Sequence, residues 1–350
     1  MKPIKIGSRI ISPTGPCFII AEAGVNHNGD LALAKKLIEQ AKAAGADAVK
    51  FQTFSPQSVI TEGAPKAAYQ RCTTDASESQ FEMLKKLCLT HKEFCTLKRH
   101  ADRVGITFFS TPHDERDVDF LVALKVPALK VPSMDLVNYP MLDYVGRQGL
   151  PVILSTGMAT LGETETALKV LTEAGCASPL LLHCVTNYPI RDEEANLLVM
   201  DTLARAFDVL VGFSDHTVGT AVSVAAVARG AVAIEKHFTL DKGLPGPDHA
   251  ASLDPDSFSR MVTDIRAVER AIGSAVKRPL AVEMENRKAM RRSLVMATDI
   301  EAGTVLAKKH LTMKRPGTGL GAEWLPHLVG RTVCCLVPRD SLVSLDMFMP

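Results

Sequence analysis

A repeating order of glycine, apolar run and polar residue is the feature that most constrains how this chain folds. In five places a helix-like stretch ends at a glycine, and a short apolar run then leads to a polar side chain: Gly45 to Lys50, Gly105 to Ser110, Gly149 to Ser155, Gly175 to His183 and Gly230 to His237. Glycine ends helices because it adopts the left-handed conformation without a Cβ clash, and a buried parallel strand reads as continuous Val, Ile and Leu. The repeat therefore predicts βα units whose strand ends all present side chains to one place.

Eight apolar runs have the composition of such strands. In chain order they are CFIIAEAG, DAVKFQ, ITFFS, ALKV, PVILST, PLLLHC, VLVGFSDH and VAIEKH. Helix-length segments separate them, so the chain is predicted to be an α/β protein built on a (β/α)8 TIM barrel. The segment before the first run is expected to form a small hairpin.

One βα loop, in segment 53–78, is much longer than the others. It is rich in Ser, Thr, Pro and Gly and contains Tyr69, Gln70 and Arg71. A long loop on the active-site face is usually a lid or a substrate contact, and a disordered insertion without a role is the alternative.

The sequence divides into a barrel at residues 1–273, a polar linker at 274–287 and a small domain at 288–350. The last barrel helix is expected over about 255–273. Short alternating runs such as RRSLVMATDI and GRTVCCLVPRDSLVS follow the linker and predict a β-rich domain. Because so small a domain is marginal alone, it is expected to pack on a barrel, either its own or a partner's.

Composition excludes several classes of protein. Lys and Arg number 40 against 39 Asp and Glu, so no net field favours nucleic acid or an anionic membrane. The most apolar stretch, VGTAVSVAAVARGAVAI, contains Arg229 and is shorter than the ~20 residues that span a bilayer. The segment MKPIKIGSRI lacks the apolar core of a signal peptide. The eight cysteines show neither a CxxC pair nor zinc spacing. A cytoplasmic protein with reduced thiols is therefore expected.

Two histidines follow consecutive predicted strands, His216 in FSDHT and His237 in IEKHF. Neighbouring strands lie ~4.8 Å apart, so two imidazoles there can share one divalent cation and leave positions open for water or substrate. With two protein ligands such a metal would be exchangeable and partly hydrated. The alternative is a pair of histidines hydrogen-bonded to their neighbours.

Two lysines, Lys50 and Lys130, stand among inward-facing strand residues. An ammonium group is costly there unless it meets a negative charge or forms a Schiff base. Hydroxyl side chains are predicted to surround them: Ser110, Thr111, Ser133, Ser155, Thr186 and Ser214. Because charge-assisted hydrogen bonds are roughly twice as strong as neutral ones, this set favours a phosphate and a carboxylate on one small metabolite. Strand-end capping explains any single serine but not the whole set.

Carboxylates are predicted at the same face. Glu22 ends the first strand, where it is suited to act on a hydroxyl or a metal-bound water, and Asp135 follows the fourth. Glu235 either orients His237 or is purely structural. Asp248, in the loop LPGPDHAAS, either clamps sugar hydroxyls or belongs to a surface turn.

Nine motifs occur in the order found in one enzyme family: EAGVNHNG, KFQTF, FSTP, KVPS, LSTGMAT, FSDHT, EKHFTLD, PGPDHAAS and KRPGTG. Together they resemble the sialic acid (N-acetylneuraminate) synthase family. The resemblance runs from Glu22 to the C-terminus and includes the segment APKAAYQ. The C-terminal domain resembles the antifreeze-like SAF domain of that family.

The resemblance implies that phosphoenolpyruvate condenses with an open-chain N-acetylmannosamine-type sugar, giving phosphate and a nine-carbon 2-keto acid, N-acetylneuraminate. It implies that His216 and His237 bind a divalent metal, typically Mn²⁺ with Mg²⁺ or Co²⁺ as alternatives, which polarises the sugar aldehyde. Seven residues would hold phosphoenolpyruvate: Lys50, Thr111, Lys130, Ser133, Ser155, Thr186 and Ser214. Three would contact the sugar: Gln52, Tyr188 and Asp248.

The resemblance also suggests catalytic and partner roles. Glu22 would manage metal-bound water or sugar hydroxyls, and Asp135 would lie near the reacting carbons. Arg315, in KRPG, resembles an arginine that reaches the N-acyl group from the partner subunit. A domain-swapped homodimer is therefore implied, and it would also explain why so small a C-terminal domain is stable.

The chain departs from the family pattern on the sugar side. Met134 and Asp135 stand where many members have Gly-Glu, so the carboxylate is kept but is one methylene shorter. His113 stands where many bacterial members have Phe, and it is a candidate hydrogen-bonding group toward the acceptor. The lid segment 73–77 also aligns poorly. These departures bear on the acceptor rather than on phosphoenolpyruvate.

Three other functions stay open at this point. A close relative would use a 2,4-diacetamido-trideoxy sugar and form legionaminic- or pseudaminic-type acids. A Schiff-base lyase would use Lys130 or Lys50 on pyruvate and would leave both histidines unexplained. An inactive sugar-binding barrel in surface-polysaccharide biosynthesis would not require two lysines and two histidines to be buried together.

Overall fold

The computed structural model describes residues 1–67, 70–71, 74–75 and 77–349. These residues form two compact units, Met1–Gly273 and Ser274–Pro350. Tyr69 and part of the segment 73–77 lie outside the described residues.

The first unit is the predicted barrel. Strands β1 (Ile4–Ile6) and β2 (Arg9–Ile11) pair antiparallel as the expected hairpin. Eight parallel strands then form one sheet within the described residues: β3 (Phe18–Gly24), β4 (Ala48–Thr53), β5 (Thr107–Pro112), β6 (Leu129–Val131), β7 (Val152–Ser155), β8 (Leu180–Cys184), β9 (Leu210–Asp215) and β10 (Ala233–His237). Their order is β5-β4-β3-β10-β9-β8-β7-β6. Strands β5 and β6 lie side by side without a hydrogen-bonded ladder, so the barrel is nearly closed.

Helices follow the strands. In the described part of this unit they are α1 (Leu31–Ala43), α2 (Pro56–Val59), α3 (Gln80–Leu87), α4 (His91–Val104), α5 (Glu115–Ala123), α6 (Tyr139–Gly146), α7 (Leu161–Glu173), α8 (Leu198–Phe207), α9 (Ala221–Ala228) and α10 (Pro255–Ile272). Capping boxes begin several of them, as Thr160 and Glu163 do for α7. The five glycines of the sequence repeat all have φ between 68° and 114°, which confirms the prediction that they end helices. None of the described helices is both long and apolar enough to cross a membrane.

The second unit has a small core of its own, formed by residues such as Leu294, Ile300, Val333 and Phe348. Strands β11 (Ser293–Met296) and β12 (Leu311–Lys314) pair antiparallel, and further β contacts are isolated bridges. Two helices belong to it, α11 (Met284–Met290) and α12 (Leu325–Leu328). The first of these lies partly in the predicted polar linker. It is built from good helix formers but has no buried face, so the apolar periodicity that reveals a helix in a sequence is missing.

Candidate active site

Four buried charges from four strands meet at the C-terminal end of the barrel. They belong to Glu22 in β3, Lys50 in β4, Lys130 in β6 and Glu235 in β10, and each residue is at most 5% exposed. Glu22 lies opposite Lys50 in the β3–β4 ladder. Lys50 Nζ lies 2.7 Å from Glu22 Oε2 and 3.8 Å from Glu235 Oε2, and Lys130 Nζ lies 3.8 Å from Glu235 Oε1. The barrel thus brings the two predicted lysines together and places a carboxylate beside each.

Burial and mutual charge shift the protonation equilibria of this cluster. Burial raises the pKa of Glu22 to about 7, and the Glu235 charge adds to this while the Lys50 charge opposes it. Burial lowers the pKa of Lys130 although the Glu235 charge opposes the shift. Burial also acts on Glu235, but the charges of Lys130 and Lys50 outweigh it and hold the pKa of that carboxyl below its usual value. Glu22 is therefore the carboxyl of the cluster best suited to exchange a proton near neutral pH.

A cavity of about 100 Å³ opens onto these charges and is lined by hydroxyl groups: Thr111, Ser133, Ser155, Thr186 and Ser214. Lys50 Nζ donates to Thr111 Oγ1 at 3.1 Å, and Lys130 Nζ donates to Ser155 Oγ at 2.7 Å. Thr186 Oγ1 is buried, and no described residue forms a hydrogen bond with it. Two ammonium groups and a ring of hydroxyls offer charge-assisted hydrogen bonds to a small molecule that carries phosphate and carboxylate groups.

Two polar strand residues of the sequence repeat face away from this cavity. Ser110 is fully buried with its Oγ 2.7 Å from Thr53 Oγ1, so its predicted place in the hydroxyl ring is wrong. His183 Nε2 lies 2.9 Å from the carbonyl oxygen of Ala195. Since side chains alternate along a strand, the residue next to each of them faces the cavity instead.

His216 and His237 face each other at the ends of β9 and β10, with ring centroids 5.6 Å apart. His216 Nδ1 lies 2.7 Å from the carbonyl oxygen of Val185, and an N–H there leaves the Nε2 lone pair for a cation. His237 Nδ1 is buried, has no hydrogen-bond partner in the described part of the chain and lies 3.7 Å from Asp248 Oδ2. Burial lowers the pKa of His216 to about 4 and that of His237 well below its ordinary value, so both rings are neutral.

These nitrogens fit a divalent cation that keeps several water ligands. Among the described residues, no group of three or more His, Cys, Asp or Glu side chains is arranged to hold a metal ion. The exchangeable cation at this pair stays a prediction from the sequence.

A second cavity of about 510 Å³ adjoins the first, and the described residues that line both are Gln52, His113, Met134, Met158, Thr186, Tyr188 and His237. Its far wall is apolar, with Phe54, Met83 and Leu87, and Asp248 also lines it. Burial raises the pKa of Asp248 to about 6. None of the described residues lining this cavity is Lys or Arg. The cavity suits an uncharged ligand with both polar and methyl groups.

Two further predicted site residues are Asp135, in the barrel unit, and Arg315, in the second unit. Asp135 ends a short 3₁₀ turn, accepts a hydrogen bond from Asn138 Nδ2 at 3.1 Å and does not appear among the described residues lining either cavity. Its neighbour Met134 lines both. Arg315 is an exposed residue of the second unit, directly after β12.

Sequence reasoning missed Gly157 and Cys184. The Gly157 N–H donates to Ser133 Oγ at 3.0 Å, and a Cβ at Gly157 would lie 2.8 Å from both Ser133 Oγ and Cys184 Sγ. Only glycine lets this loop approach so closely. Cys184 lines the polar cavity. Because side chains alternate along β8, assigning the other set of side chains to the barrel interior would have indicated Cys184 in place of His183.

A fully buried ion pair joins β9 to β10 beside the two histidines. Lys236 Nζ lies 2.9 Å from Asp215 Oδ2, and both side chains are 0% exposed. Lys236 also donates to the Thr217 carbonyl at 2.7 Å, and Asp215 accepts from the Ser223 hydroxyl at 2.5 Å. Lys236 and Asp215 are direct partners in the ladder, so the pair supports the register of the strands that lead to both histidines.

Replacing Lys236 with methionine should therefore destabilise the barrel. The substitution leaves the Asp215 carboxylate buried without its cation, which costs about 3–5 kcal/mol. Urea denaturation of the variant and the parent measures the loss. Arg147→Met is the matched control, because Arg147 pairs with Asp143 on an exposed helix face and should change nothing measurable. Equal stability of the Lys236→Met variant and the parent would contradict a structural role for the buried pair.

Models of two known families match this chain. Residues 37–277 match the NeuB family model, and residues 291–349 match the SAF domain model. N,N'-diacetyllegionaminic acid synthase of Campylobacter jejuni is 46% identical over 327 residues, covering 93% of this chain and 98% of the relative. N-acetylneuraminate-9-phosphate synthase of Homo sapiens is 38% identical over 339 residues, covering 95% and 92%.

A solved structure is also similar. The N-acetylneuraminic acid synthetase of Leptospira borgpetersenii serovar Hardjo-bovis, in complex with citrate, matches with a TM-score of 0.72 and 34% identity, covering 81% of this chain and 95% of that chain. Both the barrel and the C-terminal unit are thus matched by models of known families. The chain therefore belongs to the NeuB family of synthases and carries a SAF domain after its barrel.

Proposed function

We propose that this enzyme condenses phosphoenolpyruvate with an open-chain N-acylated amino sugar, releasing phosphate and forming a nine-carbon 2-keto acid. The observation that carries the proposal is the pairing of two different cavities. One holds two buried lysines and a ring of hydroxyls, and the other is larger, apolar and, among its described residues, free of Lys and Arg. The first suits the anionic donor and the second suits the sugar.

The proposed reaction forms one carbon–carbon bond, forms one carbon–oxygen bond to water and breaks the carbon–oxygen bond to phosphate. The methylene carbon of phosphoenolpyruvate attacks the sugar aldehyde, whose oxygen takes up a proton. Water adds to the oxocarbenium carbon C2 and loses a proton. The tetrahedral intermediate then breaks its C2–O bond to phosphate while its C2 hydroxyl gives up its proton to the departing phosphate, which leaves inorganic phosphate and the keto group of the product.

Each part of the polar cavity has a role in this scheme. Lys50 and Lys130 neutralise the phosphate and carboxylate groups of phosphoenolpyruvate, and the hydroxyl groups complete the hydrogen bonds. The residues that would hold it are Lys50, Thr111, Lys130, Ser133, Ser155, Thr186 and Ser214. Glu22, 2.7 Å from Lys50 Nζ, would move the proton of the attacking water. We give this role to Glu22 rather than Asp135, because Glu22 lines the cavity.

The metal-binding residues in this scheme are His216 and His237. They would hold a divalent cation, Mn²⁺ or alternatively Mg²⁺ or Co²⁺, and such a cation polarises an aldehyde oxygen as a Lewis acid. The carbonyl of Val185 keeps the His216 ring in the orientation and tautomer that this requires.

The second cavity favours a 2,4-diacetamido-trideoxy sugar over N-acetylmannosamine as the acceptor. The apolar wall of Phe54, Met83 and Leu87 fits the methyl groups of a 6-deoxy carbon and of two acetamido groups. Condensation adds the three carbons of phosphoenolpyruvate to the acceptor, so C6 of the acceptor becomes C9 of the product. The 9-phosphate in the name of the human relative would therefore come from a phosphate at C6 of its acceptor. No described Lys or Arg lines this cavity to bind such a group. Gln52, Tyr188 and Asp248 would contact the polar groups of the sugar chain.

We also infer a domain-swapped homodimer. Exposed apolar residues, each 47–69% exposed, follow strands β6 to β9 at the C-terminal end of the barrel: Met134, Val137, Met158, Leu161, Leu198 and Val218. An apolar rim of this kind marks an interaction surface, and the C-terminal unit of a second copy would cover it and bring Arg315 of the partner subunit to the N-acyl group. Sedimentation velocity should give the mass of a dimer, and a monomer at assay concentration would contradict this inference.

Phosphoenolpyruvate is a cytoplasmic metabolite, so we place the reaction in the cytoplasm.

The test of the proposed function is phosphate release from phosphoenolpyruvate. The purified full chain with Mn²⁺ is assayed against the 2,4-diacetamido-trideoxy sugar and against N-acetylmannosamine, with a chelator as control. We expect release with the diacetamido sugar, at most slow release with N-acetylmannosamine, and none after chelation. Faster release with N-acetylmannosamine would reverse the acceptor assignment. No release with any sugar and metal would overturn the proposed function, and borohydride trapping of pyruvate on a lysine would replace it with a Schiff-base lyase.

A further inference from the structure

His113 carries a hydrogen-bonding group that the scheme above leaves unused. It follows β5 in the loop to α5, and its imidazole lines both the polar cavity and the apolar one. Its Nε2 atom is closed off from solvent and has no hydrogen-bond partner among the residues that the structure describes. Phe54 packs edge-to-face against the ring, with centroids 5.7 Å apart, and offers no polar atom. The boundary between the two cavities therefore contains an unpaired nitrogen.

This imidazole is neutral at neutral pH. Burial lowers the pKa of His113 to about 4, the charges of Lys50 and Lys130 lower it too, and Asp114 opposes them. In a neutral imidazole one nitrogen donates and the other accepts, so Nε2 has one role or the other depending on the tautomer. A buried polar atom without a partner costs stability, and its pairing with a ligand recovers that cost.

We propose that His113 hydrogen-bonds a hydroxyl group of the acceptor sugar and so helps to determine which acceptor the enzyme uses. This rests on the proposed function. A hydroxyl is the partner because it both donates and accepts, and it therefore matches either tautomer, whereas an amide N–H or C=O matches only one. The position between the cavities places this hydroxyl at the reacting end of the sugar. Since C2 carries the acetamido group, the hydroxyl on C3 is the one assigned.

The test compares His113→Phe with the parent enzyme on the full acceptor and on its 3-deoxy analogue. On the full acceptor, KM should rise about 10- to 50-fold, which is the cost of one lost buried hydrogen bond, while KM for phosphoenolpyruvate stays unchanged. On the 3-deoxy analogue, the variant and the parent should have the same KM. The melting temperature of the variant should equal or exceed that of the parent, because an unpaired buried nitrogen has been removed. His113→Asn, which keeps a donor and an acceptor, should recover part of the affinity for the full acceptor.

Other outcomes overturn the proposal. An equal loss on both acceptors, or a lower melting temperature with a higher KM for phosphoenolpyruvate, would make His113 a packing residue only. If His113→Phe does not fold, the two acceptors are compared with His113→Asn and His113→Leu instead. The proposal is also overturned if the ratio of the KM for the full acceptor to the KM for the 3-deoxy analogue is the same in these two variants. A parent enzyme that releases no phosphate with any acceptor overturns the proposed function and this proposal together. If the parent is active and His113→Phe has the same KM for the full acceptor as the parent, only the role of His113 is overturned.

Discussion

Replacing Lys130 with methionine should lower kcat/KM for phosphoenolpyruvate by about 10²- to 10⁴-fold. The substitution removes an ammonium group that lies 2.7 Å from Ser155 Oγ and faces the cavity proposed for the phosphate and carboxylate. Two charge-assisted hydrogen bonds to the ligand are worth about 3–6 kcal/mol together, which gives that range of rates. Phosphate release at varied phosphoenolpyruvate and saturating acceptor measures the effect, and KM for the acceptor should hardly change.

The control for this prediction is Lys169→Met, which removes the same charge from an exposed face of α7. It should leave every kinetic parameter unchanged. Near-UV circular dichroism of Lys130→Met must match that of the parent, so that a loss of fold is not read as a loss of binding. A folded Lys130→Met variant that keeps the parent's kcat/KM would show that phosphoenolpyruvate does not bind between these lysines.

Replacing His216 with alanine should reduce kcat by about 10³-fold or more and abolish Mn²⁺ binding. A cation that polarises a carbonyl stabilises the transition state by several kcal/mol, and a site with one imidazole left would not retain the cation. The His216 ring is tethered through Nδ1 to the Val185 carbonyl and packs against Tyr188 with ring centroids 4.1 Å apart, so its Nε2 atom has a fixed direction. Two readouts are needed: phosphate release, and the electron paramagnetic resonance signal of free Mn²⁺ titrated with protein.

His100→Ala is the matched control, because this ring lies on α4 and contacts Glu39 rather than either cavity. It should bind Mn²⁺ and release phosphate as the parent does. If His216→Ala still removed free Mn²⁺ from solution with the parent's affinity, the two histidines would not be the cation site. If instead it lost Mn²⁺ binding but kept full activity, the cation would have no part in the chemistry.

The order and the ends of the eight strands could be predicted because each signal is local. An apolar run of four to eight residues is long enough to cross a barrel wall once, and a glycine with φ near 90° ends the preceding helix whatever it packs against. The helix Met284–Met290 was missed because an exposed helix leaves no such local apolar pattern in the sequence.

The chemistry-bearing residues could be predicted as a set, but not their orientation. Lys50, Lys130, Glu22 and the two histidines were all expected at the strand ends, and they do lie there. Ser110 and His183 were expected with them and face the other way. In a strand that is buried on both sides, apolar residues occupy both faces. The sequence therefore does not reveal which of the two alternating sets of side chains points to the barrel axis. The bulge between Glu22 and Gly24 also shifts the alternation of side chains within β3.

The sequence by itself determined the barrel, the two buried lysines, the paired histidines and the likeness to a synthase family, because these depend on residue type and on spacing within single βα units. Only the tertiary structure decided which groups share a cavity. Glu235 faces both lysines although it is 185 residues from one of them and 105 from the other (235 − 50 and 235 − 130). The apolar cavity without a described Lys or Arg, and the unpaired nitrogen of His113 at its edge, also arise from segments far apart in the chain. Closure of the sheet sets those distances, and no local pattern records them.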